Sequence, residues 1–268
     1  MLETQTVQQT VLSRDGTRIA YQKTGSGTPL LLVHGTGGDR MRWNGVLPRL
    51  SQHFTVYAMD RRGRDGSGDG AGYAIAREYE DIAALAAVID GPVDVLGHSF
   101  GAACVLGAAP MIPNLHKLIL YEPPMLHEQQ TPRRMEILEC MDQALAAGEM
   151  ETIVVLMMRD MLQTPMPIVE RARTTPAWAG SVSVAHTMPR ELHHSDDYGA
   201  NLELFKSISA PTLFLLGSSS PENFKITTET LLGLIPNSQV VILPGQQHSA
   251  MLTAPDLLSD EVIRFLKS

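Results

Sequence analysis

Cysteine is scarce in this chain: Cys104 and Cys140 are the two among 268 residues. Two thiols build neither a disulfide framework nor a metal motif, so both read as small core or half-buried side chains. Their scarcity fits a reducing, cytoplasmic setting. Runs of basic residues are missing too. The formal charge is −8, which argues against a nucleic-acid or anionic-membrane footprint. Aromatic residues make up 5%, too few for a stacked aromatic cage. No apolar run approaches the roughly 20 residues that span a bilayer. The opening "MLETQTVQQTVLSRDG" has no apolar h-region, so a signal peptide is not expected. What is present is 44% hydrophobic content, enough for one large core with a smaller insertion.

The chain begins with alternation. "TVQQTVLS" and "TRIAYQKTG" flank Asp15-Gly16, a hairpin pattern. Short apolar runs follow at 29–35, 54–60, 93–99, 116–122, 211–217 and 238–245; each reads as a buried strand. Helical periods lie between them. Ile82, Leu85, Ala86 and Ile89 share a face of 77–90, 100–110 is small and apolar, and "PDLLSDEVIRFLKS" is amphipathic. A hairpin followed by alternating strands and helices predicts an α/β fold with a mostly parallel sheet.

The alternation stops after Tyr121 and resumes at 211. So long a structureless loop is improbable, and the stretch carries helix signals. Thr131 suits an N-cap, Pro132 a first helical position and Gly148 a stop. A second helix is predicted over 149–163 and further helix within 189–207. The expected division is a core domain of 1–122 and 208–268 with a helical cap over 123–207. Nine of the 14 methionines lie between Met125 and Met188, which suits either ordinary cap core or a pliable apolar pocket. Trp178 reads as cap core or pocket wall.

The chemistry concentrates in "VDVLGHSFGAA". A strand, Gly97-His98-Ser99-Phe100-Gly101 and a small-residue helix give G-x-S-x-G in the context a nucleophilic serine requires. The turn must be tight, hence glycine two residues either side of Ser99. "LLVHGTGGD" ends an earlier strand in glycines that leave backbone N–H groups free. The N–H groups of Phe100 and Thr36 are the expected oxyanion donors. A serine hydroxyl needs a base, and His248 in "ILPGQQHSAM" follows the last strand at the same sheet edge. His34 and His98 read as structural. His53, His116, His127, His186, His193 and His194 read as surface or packing residues.

These motifs, in this order and over nearly the whole chain, resemble the α/β-hydrolase superfamily with a helical cap. The resemblance implies an eight-stranded, mostly parallel sheet flanked by helices. It makes "MDRRGR" (Asp60, Arg61, Arg62) a structural segment. It also implies an acid to orient His248. Most members carry that acid after the strand ending here at Gly217, where this chain has Ser218, Ser219 and Ser220. Glu122, one strand earlier, is the expected acid. Adjacent strand ends lie about 5 Å apart, and Pro123 should hold Glu122 extended. Glu222 is the rival; a dyad or an inactive site is the remaining possibility.

The activity so implied is cofactor-free, metal-free hydrolysis of a small to medium carboxylic ester, lactone or related acyl compound by a Ser99-His248-Glu122 triad. C–C bond hydrolysis and perhydrolysis are variants on the same residues. A slow or non-catalytic ligand-binding protein, and an acyltransferase or lyase, are the alternatives. The expected partner is a small-molecule acyl substrate, with no nucleic acid or membrane, and a homodimer is possible.

Overall fold

The computed structural model describes residues 8–124, 131–195, 197 and 202–268. Met125 and His127 lie outside them.

The eight strands are β1 (Gln8–Leu12), β2 (Arg18–Gly25), β3 (Thr28–Val33), β4 (Phe54–Met59), β5 (Val93–His98), β6 (Leu115–Tyr121), β7 (Thr212–Gly217) and β8 (Ser238–Leu243). They form one sheet in the order β1-β2-β4-β3-β5-β6-β7-β8. The β1–β2 and β2–β4 pairs are antiparallel and the others parallel. Asp15 Oδ1 accepts the Thr17 N–H at 2.9 Å and Gly16 takes φ 82°, which closes the predicted hairpin. The short, apolar central strands are buried on both faces, as helices on both sides require. This is the α/β-hydrolase fold.

The helices are α1 (Leu47–Leu50), α2 (Ile75–Ala87), α3 (Phe100–Ala108), α4 (Pro132–Ala147), α5 (Met150–Leu156), α6 (Met166–Ala172), α7 (Pro176–Ser183), α8 (Met188–His193), α9 (Glu203–Lys206), α10 (Glu222–Leu234), α11 (Ala250–Thr253) and α12 (Pro255–Leu266). One apolar layer joins α2 and α3 to a sheet face through Ile82, Leu85, Val105 and Phe214. A second joins α1 and α12 to the opposite face through Leu50, Phe54, Val262 and Phe265. Helices α4 to α9 all lie between β6 and β7 in the chain. Helices α4 to α8 hold a third apolar cluster around Ile137, Met141, Ile153 and Trp178, whereas Phe205 of α9 joins the first.

Local signals inside this insertion act as predicted for α4. Thr131 Oγ1 accepts the Arg134 N–H at 3.2 Å, and Gly148 ends the helix at φ 74°. The helix expected over 149–163 differs: α5 stops at Leu156 and runs into a π-helical turn, Met157–Met161. Trp178 belongs to the insertion's core, its indole N–H donating to Glu151 at 3.2 Å. Cys104 is buried, but Cys140 is exposed rather than half-buried, because it sits on the outer face of α4. No helix among the described residues is long and apolar enough to cross a membrane.

Candidate active site

Ser99 stands between β5 and α3 with φ 54° and ψ −127°. A non-glycine residue holds such a conformation only where its surroundings over-determine it. Here the chain is pinned on both sides. The Ser99 N–H bonds Tyr121 O at 2.9 Å, extending the β5–β6 ladder. A Cβ on Gly97 would sit 2.7 Å from Ala102 Cα, and one on Gly101 would sit 2.4 Å from His34 O. The two glycines are therefore what let strand, turn and helix approach this closely.

Phe100 is the first residue of α3, so its N–H has no partner within the helix. Thr36 follows β3 on the neighbouring loop. His34 fastens that loop: its ring faces Gly35 O through Nδ1 (2.9 Å) and takes the Arg61 N–H at Nε2 (3.2 Å). Burial, reinforced by Arg64 and Arg61, holds its pKa well below the ordinary histidine value, so the ring is neutral. Thr36, Ser99, Phe100 and His248 line one cavity of about 610 Å³. Its other walls include Ile137, Met157, Met161 and Leu192 from the insertion and Phe224 from α10. Of the methionines, Met157 and Met161 reach the cavity, while Met141 and Met188 are insertion core.

Glu122 is fully buried at the end of β6. Its Oε2 lies 2.7 Å from His248 Nδ1. Its Oε1 accepts the Gly217 N–H at 2.7 Å and the Ser220 hydroxyl at 2.5 Å. One expectation fails here: Glu122 is not extended but takes φ 46°. Its N–H bonds Leu215 O at 3.2 Å and both carboxylate oxygens are engaged. Those tertiary bonds override the local preference that Pro123 imposes. Glu222 also lines the cavity, but its side chain is 72% exposed and faces Lys225 at 3.5 Å.

The loop bearing His248 is held from below. His98 Nε2–H donates to His248 O at 2.8 Å. Tyr121 donates its hydroxyl to Gln247 O and accepts the Ala250 N–H at 3.0 Å. Burial first, then His248 and Arg42, keep the His98 pKa well below the ordinary value. A neutral ring that donates from Nε2 leaves Nδ1 bare, and that atom has no partner. Phe224 stacks on the His248 ring, centroids 4.5 Å apart and planes 22° from parallel.

The "MDRRGR" segment is a charge lattice. Asp60 accepts the Arg40 N–H at 2.9 Å, and burial lifts its pKa to about 6. Arg62 binds Asp81 through two 2.7 Å bonds, and Arg61 binds Glu78 at 2.7 and 3.1 Å. Several histidines pair with acids away from the cavity: His116 with Asp94, His193 with Asp142, His194 with Asp197. Among the described residues no group of three or more His, Cys, Asp or Glu is arranged to hold a metal ion.

Sequence reasoning passed over Ser220, Tyr121, Phe224 and Glu191. Ser220 carried a faint signal, since it stands in the turn where the family places its acid. Tyr121 and Phe224 stand beside the two candidate acids, Glu122 and Glu222, without a signal of their own, and Glu191 lies far from the motifs in the chain.

Over 108 residues the chain is 38% identical to an uncharacterized protein of Mycobacterium tuberculosis; that match spans 39% of this chain and 32% of the relative, about a third of its length. It is 23% identical to the (E)-2-((N-methylformamido)methylene)succinate hydrolase of Acinetobacter baylyi, covering 92% of this chain and 94% of that one. Among solved structures, an alpha/beta hydrolase from Sphaerobacter thermophilus superposes with a TM-score of 0.86 at 36% identity, covering 96% of this chain and all of that one. An esterase from Thermogutta terrifontis reaches 0.76 at 22% identity over 97% and 98%, a likeness of fold. The model of the alpha/beta hydrolase family matches residues 30–261. The chain belongs to the alpha/beta hydrolase family.

Proposed function

We propose that this protein is a cofactor-free serine hydrolase of carboxylesterase type, acting on a small to medium carboxylic ester, lactone or related acyl compound. The observation that carries the reading is the Glu122–His248 hydrogen bond at a cavity that Ser99 also lines. In this reading His248 Nε2 takes the Ser99 proton as Oγ attacks the acyl carbon, and Glu122 stabilises the imidazolium that forms. The oxyanion is bound by the N–H groups of Thr36 and Phe100. The protonated His248 then donates to the leaving group. Water, deprotonated by His248, attacks the acyl-enzyme and releases the acid and Ser99.

The alternative of a ligand-binding protein without turnover rested on the missing acid after β7. Glu122 supplies a carboxylate to His248 from β6, which removes the motive for it. C–C bond hydrolysis and perhydrolysis use the same residues. The relative that hydrolyses a substituted succinate makes acyl substrates with a nearby carboxylate worth including in a screen.

The test is a fluorophosphonate probe followed by intact mass. Rapid single labelling of the wild type and none of Ser99→Ala is expected. A folded wild type that stays unlabelled would overturn the reading.

A further inference from the structure

Three side chains from the segment between β6 and β7 converge on the loop that carries Thr36. Ser181 Oγ donates to Gly37 O at 3.1 Å. The Met188 methyl fills the space beside Gly37, 2.6 Å from where a Cβ would stand. Glu191, on α8, is fully buried behind the same loop. Its Oε1 pairs with Arg61 at 3.1 Å and with Arg64. Arg64 in turn donates to Gly38 O at 3.1 Å, and the Arg61 guanidinium lies 4.9 Å over the Phe100 ring. The cluster therefore touches the two glycines that follow Thr36 and the ring of Phe100.

A buried carboxylate here is costly, and apolar packing would serve cohesion as well. Arg61 already has Glu78 as a two-bond partner, so neutralising Arg61 does not require Glu191. Burial raises the Glu191 pKa, but Arg61, Arg64 and the Thr36 hydroxyl together bring it below the usual carboxylate range. Glu191 Oε2 has no partner in bonding geometry.

We propose that Glu191 is a positioning residue for the oxyanion site. From the inserted helices it holds the Thr36 loop through Arg64, which donates to Gly38 O, and Phe100 through Arg61, so that seating of α8 on the core and competence of the oxyanion donors are one event. This rests on the serine-hydrolase reading above.

The experiment compares wild type with Glu191→Gln, Arg64→Gln and the double variant. It measures p-nitrophenyl acetate turnover, inhibition by a trifluoromethyl ketone that forms a tetrahedral adduct, and fluorophosphonate labelling. Misplacing a catalytic group by an ångström is worth about a hundredfold. Glu191→Gln should lower kcat by about ten- to a hundredfold with little change in KM, and weaken the ketone by the same factor. Arg64→Gln removes the bond to Gly38 O and should lose about as much; the double variant should lose no more. Ser181 anchors the same loop from a partly exposed site, and Ser181→Ala should lower kcat about threefold. A Glu191→Gln enzyme with unchanged or higher kcat, a change in KM alone, or additive losses would overturn the proposal. Wild type that resists the fluorophosphonate would instead overturn the hydrolase reading beneath it.

Discussion

Glu122 meets His248 from an adjacent strand end rather than from the turn after β7, and that turn's serine holds the carboxylate in place. Oε2 serves the imidazole at 2.7 Å while Oε1 is bound by Ser220 and Gly217. The absence of an acid among Ser218, Ser219 and Ser220 is thus matched by a hydroxyl suited to a neighbour's carboxylate.

That division of labour separates two substitutions. Glu122→Gln removes the charge that balances the imidazolium, and fluorophosphonate labelling of Ser99 should slow about a hundredfold or more. Ser220→Ala removes one of three bonds to the carboxylate and should slow it only severalfold, with a stability cost of about 1 kcal/mol. Equal effects in labelling kinetics would contradict the roles given to the two residues.

The Tyr121 hydroxyl ties both flanks of the histidine loop, through Gln247 and Ala250. Tyr121→Phe leaves the Gln247 carbonyl and the buried Ala250 N–H without their partner, at about 1–3 kcal/mol. Steady-state kinetics should report a fall in kcat with KM nearly unchanged, since the ring that moves is the proposed base while the apolar walls Ile137, Met157, Met161 and Leu192 stay in place. A shift confined to KM would count against this assignment.

Strain at the nucleophile predicts a trade of stability against function. Ser99 holds φ 54°, a conformation that costs a non-glycine residue on the order of 1–3 kcal/mol. Ser99→Gly should therefore melt at a higher temperature than both wild type and Ser99→Ala. Scanning calorimetry that ranks Ser99→Gly lowest would show that the elbow is not strained.

Acid sensitivity follows from His34 and His98. Both are buried, with folded pKa values well below 6.5. The unfolded chain takes up a proton at each near pH 6.5 and the folded chain does not. Their contribution is complete above that pH and is lost as pH falls below it, by about 1.4 kcal/mol per pH unit for each ring. Asp60 works in the opposite sense: its folded pKa of about 6 stands above the usual 3.8, so the folded state gains as pH falls through that window. Denaturant unfolding between about pH 7 and about pH 5 should show a net fall, and His98→Gln should flatten it by about one proton. An unchanged slope in that variant would mean that His98 is charged in the folded protein.

The elements that depend on near neighbours in the chain were legible from the start. Alternation and apolar runs marked the strands of the sheet, and Thr131, Pro132 and Gly148 marked the ends of α4. The glycines around Ser99 specified the turn because the clash they avoid lies within a few residues or on the adjoining strand. What only the tertiary structure decided are relations across the sheet. Pro123 alone argues for an extended Glu122, yet bonds from Gly217, Ser220 and His248, all some hundred residues on, turn it to positive φ. No neighbour in the chain marks Glu191, which is a buried partner of Arg61 and Arg64. Local backbone preferences are worth about 1 kcal/mol and are written in adjacent residues. Buried charge-assisted bonds are worth more and depend on which strand ends and helices meet in space, an arrangement that no short stretch of this sequence encodes.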